Sequence, residues 1–205
     1  MSRATIRAVL FDIGGVLVNA PPMDFHVDWA TRLDLADGAV WAGIIDVWRA
    51  GGVGTLTEAG VHAAIRDRLG ITEAQVEAMM ADMWKQYLGT ANDELIARAR
   101  GLRPRYRTGI LSNSFVGARE REVRRYAFPD LVDEIVYSHE VGLRKPDPRI
   151  FELCCTRLAV EPAELVFLDD VEENVAVAGE LGIHAIHVRD NEQALGELDA
   201  ILAGQ

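Results

Sequence analysis

Cysteine is scarce in this chain of 205 residues: Cys154 and Cys155 are the only two, and they are adjacent. Neighbouring thiols on one helical pattern offer neither a disulfide framework nor the spacing of a zinc site, so a cytoplasmic chain is expected. Long apolar runs are missing as well. None approaches the roughly 18 residues that read as a membrane span. The opening MSRATIRAVLFD has no apolar stretch followed by a small-residue cleavage site, so no signal peptide is expected. Positive charge is in deficit, with 21 Lys and Arg against 32 Asp and Glu and a formal charge of −11. That sign opposes general nucleic-acid binding, which depends on neutralising phosphates. One arginine-rich region runs against it: Arg98, Arg100, Arg103, Arg105 and Arg107, then Arg119, Arg121, Arg124 and Arg125. These are expected mostly as solvated helix faces and loops, with a rim that steers an anionic substrate as the lesser reading. Internal repeats and low-complexity linkers are absent too.

What is present alternates between two periods. Five short apolar runs read as buried parallel strands: Ala8–Phe11, Thr108–Leu111, Glu134–Tyr137, Leu165–Leu168 and Ala185–Val188. Helical patterns separate the later ones. Ile150, Phe151, Cys154 and Leu158 share one face, behind Pro146 and Pro148, and Val175, Ala178 and Leu181 share another, with Gly182 as a stop. Strands alternating with helices predict an α/β fold, a doubly wound parallel sheet of Rossmann-like kind whose strand C-termini share one edge. The first gap is too long for one crossover. Residues 18–90 carry helix-like spacings at Trp29, Leu33, Val40, Ile44, Ile45 and Trp48, a helix capped by Thr57 and stopped by Gly70, and another from Thr72 to Gly89. The expected organisation is a core of residues 1–17 and 91–205 with a small all-helical cap of residues 18–90.

The polar residues that end these strands carry the chemistry. Asp12 ends the first, Ser112 and Asn113 the second, Lys145 lies in the loop after the third, and Asp169 and Asp170 end the fourth. Each alone reads as a turn residue, a cap or a solvated lysine. Together, on successive strands, they would bring three carboxylates to one edge, where mutual repulsion is costly without a cation. Hard oxygen ligands completed by water suit Mg²⁺. Ser112 and Lys145 then offer a hydroxyl and a charge to an anion beside the metal, and glycine-flanked backbone N–H groups can approach it, an arrangement suited to phosphoryl transfer.

The stretches FDIGGVL, ILSNS, GLRKPDPRIF and FLDDVEENVAVAGELGI, in that order, give the chain a named likeness. It resembles the haloacid dehalogenase-like hydrolase superfamily, in the branch with a helical cap after strand one. Within that branch it is similar to the phosphatase-like N-terminal domains of epoxide hydrolases and to small sugar-phosphate phosphatases. The resemblance implies a Mg²⁺-dependent phosphatase acting on a small phosphorylated metabolite. Asp12 would be the nucleophile, forming an aspartyl-phosphate, and a metal ligand together with the carbonyl of Gly14 and with Asp170. Asp170 is preferred to Asp169 because it precedes Gly182 by twelve residues, as the family's metal aspartate precedes its helix-ending glycine; Asp169 is left as a supporting carboxylate. Gly14, Ser112, Asn113 and Lys145 would contact the phosphoryl group, with Ser112 and Lys145 also catalytic. Removing Lys145 is expected to empty no core.

One position departs from the pattern. Phosphatases of the superfamily commonly carry a second aspartate two residues after the first as general acid and base, and here that place is Gly14. The expected consequence is a preference for good leaving groups, with Asp24 and His26 as possible substitutes. His139, His184 and His187 are read as loop and structural residues, and the four tryptophans as packing of the cap. Two other functions remain open: a metal-independent 2-haloacid dehalogenase, and a catalytically weak protein that binds a phosphometabolite. The doubled aspartate weighs against the first and Gly14 favours the second.

Overall fold

The computed structural model describes residues 5–204. The chain begins with strand β1 (Ala8–Phe11), then β2 (Val18–Asn19) and four helices, α1 (Phe25–Arg32), α2 (Ala39–Gly52), α3 (Glu58–Leu69) and α4 (Glu73–Leu88). It returns through β3 (Thr90–Ala91), α5 (Asp93–Leu102), β4 (Arg107–Ser112), α6 (Ala118–Tyr126) and α7 (Phe128–Leu131). The last part holds β5 (Glu134–Tyr137), α8 (Ser138–Val141), α9 (Pro148–Leu158), β6 (Leu165–Asp169), α10 (Glu172–Glu180), β7 (His184–His187) and α11 (Asn191–Ala203).

Five strands pair in parallel in the order β5-β4-β1-β6-β7. Alternation along each strand feeds two layers. Val9, Phe11, Ile110, Val166 and Leu168 pack with Leu95 of α5 and Leu198 of α11. Ala8, Leu10, Leu111 and Phe167 pack with Ile150, Phe151 and Leu158 of α9 and Ala178 of α10 on the opposite face. This is the doubly wound α/β sheet, and its order reverses beside the central β1, where such folds open a crevice at the strand C-termini.

The four inserted helices form a third apolar cluster around Trp29, Ile44, Val76, Met79 and Met83. Their ends follow local chemistry. The Thr57 side chain accepts from the Gly60 N–H and Gly70 closes α3 in the left-handed region; Thr72 and Gln75 form a capping box on α4. Entry and exit lie side by side, because β2 and β3 pair antiparallel, Val18 with Ala91 and Asn19 with Thr90. Those two-residue strands carry no periodicity and were not expected. The cluster also takes in Phe115, Val116 and Ala118, from the segment following β4. Trp48 stacks on Phe115 at 4.3 Å, the Val116 N–H donates to the Gly51 carbonyl, and Arg121 pairs with Glu58 at 2.6 Å. Among the described residues no helix is long and apolar enough to cross a membrane.

Candidate active site

Central strands place the charged residues. Asp12 follows β1, Ser112 ends β4 and Asp169 ends β6, and β4 and β6 flank β1. Asp12, Asp169 and Asp170 present carboxylate oxygens that all lie within 4.8 Å of one another. Lys145 comes up from the loop before α9, and its Nζ lies 2.8 Å from Asp12 Oδ1, 2.5 Å from Asp169 Oδ2 and 3.1 Å from the Leu111 carbonyl. The Asn113 side chain clamps the Lys145 backbone at both ends, accepting from its N–H at 2.8 Å and donating to its carbonyl at 3.0 Å. Asn113 thus serves the site as a brace for the lysine, and its own N–H has no acceptor among the described residues.

Lys145 is only 1% exposed and ranks among the largest fully buried side chains. The expectation that its removal empties no core is therefore corrected: the whole side chain is buried, with Nζ 5.5 Å from the centre of the Phe167 ring, and the ammonium neutralises two carboxylates. Burial alone would lower its pKa, yet Asp12 and Asp169 together hold it above the ordinary lysine value. Burial pushes Asp12 up to about 7, against the pull of Lys145 and with the help of Asp169. Asp12 Oδ1 accepts from Lys145 and from the Ile13 N–H, which leaves Oδ2 without a donor among the described residues.

The two adjacent aspartates are treated differently. Asp169 is fully buried and accepts from Lys145, from the Val171 N–H and, on both oxygens, from Asn174 Nδ2. Those four hydrogen bonds fill its lone pairs. Asp170 is exposed, and no other described residue donates to its carboxylate. The Gly14 carbonyl likewise accepts nothing among the described residues. Three carboxylates against one ammonium leave an excess of two negative charges at this edge, so Asp12, Asp170 and the Gly14 carbonyl fit a divalent cation with hard oxygen preference.

The two glycines after Asp12 have different reasons. Gly15 has φ +73°, and a Cβ there would stand 2.1 Å from Asp170 Oδ2, so only glycine lets Asp170 approach. A Cβ on Gly14 would meet nothing within 4 Å. The place usually held by an acid is open.

The other candidates fall elsewhere. The exposed Asp24 carboxylate accepts from Gln86 at 2.7 Å, and His26 packs against Trp41. His139 Nδ1 lies 2.6 Å from Ser114 Oγ, and His187 Nε2 lies 3.0 Å from the Asp170 carbonyl, where it steadies the loop. Among the arginines, Arg98, Arg103, Arg119 and Arg121 pair with Asp199, Asp133, Glu140 and Glu58, so they form no free cationic rim. Of the tryptophans, Trp29 and Trp84 are buried, whereas Trp48 also lines a cavity with Arg49, Tyr87, Asn113, Ser114 and Arg144.

The model of one family, haloacid dehalogenase-like hydrolase, matches residues 6–182. The chain belongs to that family. As a haloacid dehalogenase-like hydrolase it has relatives of several kinds. It is 33% identical to mouse Acyl-CoA dehydrogenase family member 10 over 96% of its length, but spans only 19% of that protein. It is 28% identical to D-ribitol-5-phosphate phosphatase of Bacteroides thetaiotaomicron, over 96% of this chain and 98% of that one. A magnesium complex of a family enzyme from the same bacterium has the same fold, with a TM-score of 0.78 and 24% identity over 94% of this chain and 99% of that one. Within this hydrolase, Asn174 was missed by sequence reasoning, although it had a signal, a polar residue near the start of α10 behind the strand end. Gly14 and Gly15 are expected from the sequence to keep room for metal and phosphate; the room Gly15 makes is for the Asp170 carboxylate.

Proposed function

We propose that the protein is a Mg²⁺-dependent phosphatase that hydrolyses a small phosphorylated metabolite through an aspartyl-phosphate on Asp12. The observation that carries this reading is the contrast at one strand edge between Asp169, saturated by four hydrogen bonds, and Asp170, which has no donor from another described residue. A dehalogenase needs no second free carboxylate, whereas a metal-dependent phosphatase does. The phosphatase relative and the magnesium-bound neighbour of like fold support the same choice.

Asp12 Oδ2 attacks phosphorus as the phosphorus–oxygen ester bond breaks, the departing oxygen takes a proton from water and leaves as the alcohol, and Lys145 and the Ile13 N–H hold Oδ1. Lys145 stays charged through the reaction, since both its partners favour the ammonium, and offsets charge that collects on the phosphoryl oxygens. Ser112 Oγ and the Asn113 N–H donate to those oxygens. Asp12, the Gly14 carbonyl and Asp170 would hold Mg²⁺, which supplies charge neutralisation when bound. Water then attacks the phosphoaspartate and returns Asp12. Residues 18–90 act as a cap that closes over the crevice and selects the substrate. With Gly14 in place of a direct acid, esters with good leaving groups react fastest. A cytoplasmic setting suits two buried free thiols.

The test is turnover of a phosphate-ester panel by the pure protein, with Mg²⁺ and with chelator, beside Asp12→Asn. Metal-dependent hydrolysis lost in the variant is the expected result. Metal-independent release of halide from 2-haloacids, with no phosphatase activity, would replace this reading with the dehalogenase. Tight binding of a phosphometabolite without turnover would replace it with a binding protein.

A further inference from the structure

A small cavity at the seam between the inserted helices and the core gathers two cations. It measures about 70 Å³, and its walls include Trp48 and Arg49 of α2 and Asn113, Ser114 and Arg144 of the core. The hydroxyl groups there are already engaged. Ser138 Oγ donates to the Gly52 carbonyl at 2.7 Å, and Ser114 Oγ lies 2.6 Å from His139 Nδ1. The guanidinium groups are not. Other arginines of the inserted helices have acids: Arg32 has Asp82, Arg66 has Asp67 and Arg68 has Asp46. Arg49 and Arg144 have no acid partner among the described residues, and no carboxylate lines the cavity.

A single solvated arginine needs no account. A cation in the last turn of α2 suits the helix dipole, which covers Arg49 but not Arg144. Two like charges at one small cavity repel each other unless an anion joins them, and a chain with a formal charge of −11 is not short of acids to place there. Both arginines also stand on fixed backbone. The end of α2 is tied to the core by the Ser138 hydrogen bond, by the Val116 N–H donating to the Gly51 carbonyl at 3.2 Å, and by Trp48 stacked on Phe115. Arg144 directly precedes Lys145, whose backbone N–H and carbonyl are both held by the Asn113 side chain. Asn113 links this cavity to the reacting centre, since it follows Ser112 and its N–H is the phosphoryl donor of the reading above.

We propose that Arg49 and Arg144 form a second anion subsite, and that the substrate carries a small oxyanion, a carboxylate or a second phosphate, besides the phosphoryl group that is removed. This rests on the phosphatase reading above. A guanidinium fork meets either oxyanion with paired hydrogen bonds. The size of the cavity, about 70 Å³, is roughly the share of two waters in the liquid, which is room for a charged end group and not for a sugar ring. One arginine comes from each part of the chain, so the second anion joins the inserted helices to the core across the bound substrate. An ester with an uncharged far end forgoes that contact.

Three phosphonates test this without turnover, because carbon replaces the ester oxygen and they differ only at the far end. Propylphosphonate ends in a methyl group, carboxyethylphosphonate in a carboxylate and ethylene bisphosphonate in a second phosphonate. Calorimetric titration with Mg²⁺ present measures their binding, and that of the homologues one methylene longer, to wild type, Arg49→Gln and Arg144→Gln. The expected result is that a ligand with a charged far end binds about tenfold more tightly than its methyl counterpart, the lower end for a hydrogen bond between charged groups. Whichever charged end binds more tightly names the oxyanion. Each variant removes the gap, and Arg49→Lys or Arg144→Lys, with the charge but not the fork, recovers part of it. Turnover follows the same order: kcat/KM on phosphoglycerate exceeds that on glycerol phosphate, and the variants lower it through KM rather than kcat. Both side chains are exposed, so neither substitution opens the core; should one variant fail to fold, the other decides. Equal binding at every far end, or a gap that survives either variant, overturns the subsite and leaves the phosphatase standing. Where no phosphonate binds, the preference between the two esters and its loss in the variants decide. No binding and no cleavage of either ester removes both readings.

Discussion

Replacing Gly15 by alanine tests how the fold places Asp170. The new Cβ would stand 2.1 Å from Asp170 Oδ2, 2.3 Å from Cγ and 2.9 Å from Cβ, where ordinary contacts between heavy atoms begin at about 3.5 Å. The carboxylate must retreat by more than about 1 Å, and the residue itself sits at φ +73°, a left-handed conformation that costs alanine about 1–2 kcal/mol. Asp170 is exposed and its carboxylate can swing away, so the folding cost that remains is that of the backbone conformation and of the 2.9 Å contact with Asp170 Cβ. Metal binding has no such freedom. Mg²⁺ demands near-octahedral oxygens at about 2.0–2.1 Å, and disturbing the support of a ligand typically lowers affinity about 10–100-fold, or about 1.4–2.8 kcal/mol. Gly14→Ala is the control, because its Cβ meets nothing within 4 Å. Calorimetric titration with Mg²⁺ should therefore show weakened binding in Gly15→Ala and unchanged binding in Gly14→Ala, with Gly15→Ala unfolding a few degrees below wild type in the absence of metal. Wild-type affinity in Gly15→Ala would refute either the role of Asp170 as ligand or the claim that Gly15 positions it.

Three further outcomes follow from the same geometry. Asp170→Ala should abolish measurable Mg²⁺ binding with little loss of stability, whereas Asp169→Ala should cost about 3–5 kcal/mol in urea unfolding by stranding Lys145 and Asn174; the reverse ranking would overturn the ligand assignment. Lys145→Ala should be inactive and also destabilised by about 3–5 kcal/mol at neutral pH, since it leaves a cavity between two buried carboxylates, and a variant as stable as wild type would show the ammonium to be dispensable to the fold. Glu122, held above its unfolded value, contributes stability that is fully present below about pH 4.5 and is lost as pH rises through about 7. Glu122→Gln should therefore gain on wild type across that window, by on the order of 3 kcal/mol at its upper end, and a stability difference independent of pH would count against a protonated Glu122.

Strong periodicity made the sheet legible. Ala8–Phe11 and Glu134–Tyr137 are strands at the expected bounds, β6 runs one residue further, β4 gains one residue at each end, and β7 starts and stops one residue earlier. The helix stops at Gly70 and Gly89 were readable because threonine caps and glycine terminators act through local chemistry. The hairpin-like pairing of β2 with β3 was not, since two residues carry no alternation. The capture of Phe115 and Val116 by the inserted helices was also hidden. A residue's place in sequence says which element it follows, not which cluster receives it. At the site, Asp12, Ser112 and the aspartate pair stood out because each ends an apolar run, and Lys145 because it lies in the loop that follows one. Glu122 was invisible because its neighbours are arginines and glutamates, and a buried charge inside a polar helix leaves no periodic mark.

The two most buried carboxylates show how their partners set what each can do. Asp169 is met by an ammonium, an amide and a backbone N–H, all donors that give up no proton at ordinary pH, so it serves as a fixed anion that anchors Lys145 and the start of α10. Glu122 is met by the Tyr137 phenol, which donates to its Oε2 at 2.5 Å. An apolar residue at position 122 would strand the buried Tyr137 hydroxyl, so the acid has a structural return even though it weakens the protein as pH rises through about 7. Glu122 is therefore a pH-dependent tie between α6 and β5: it satisfies a buried phenol while protonated and strains the same contact once ionised.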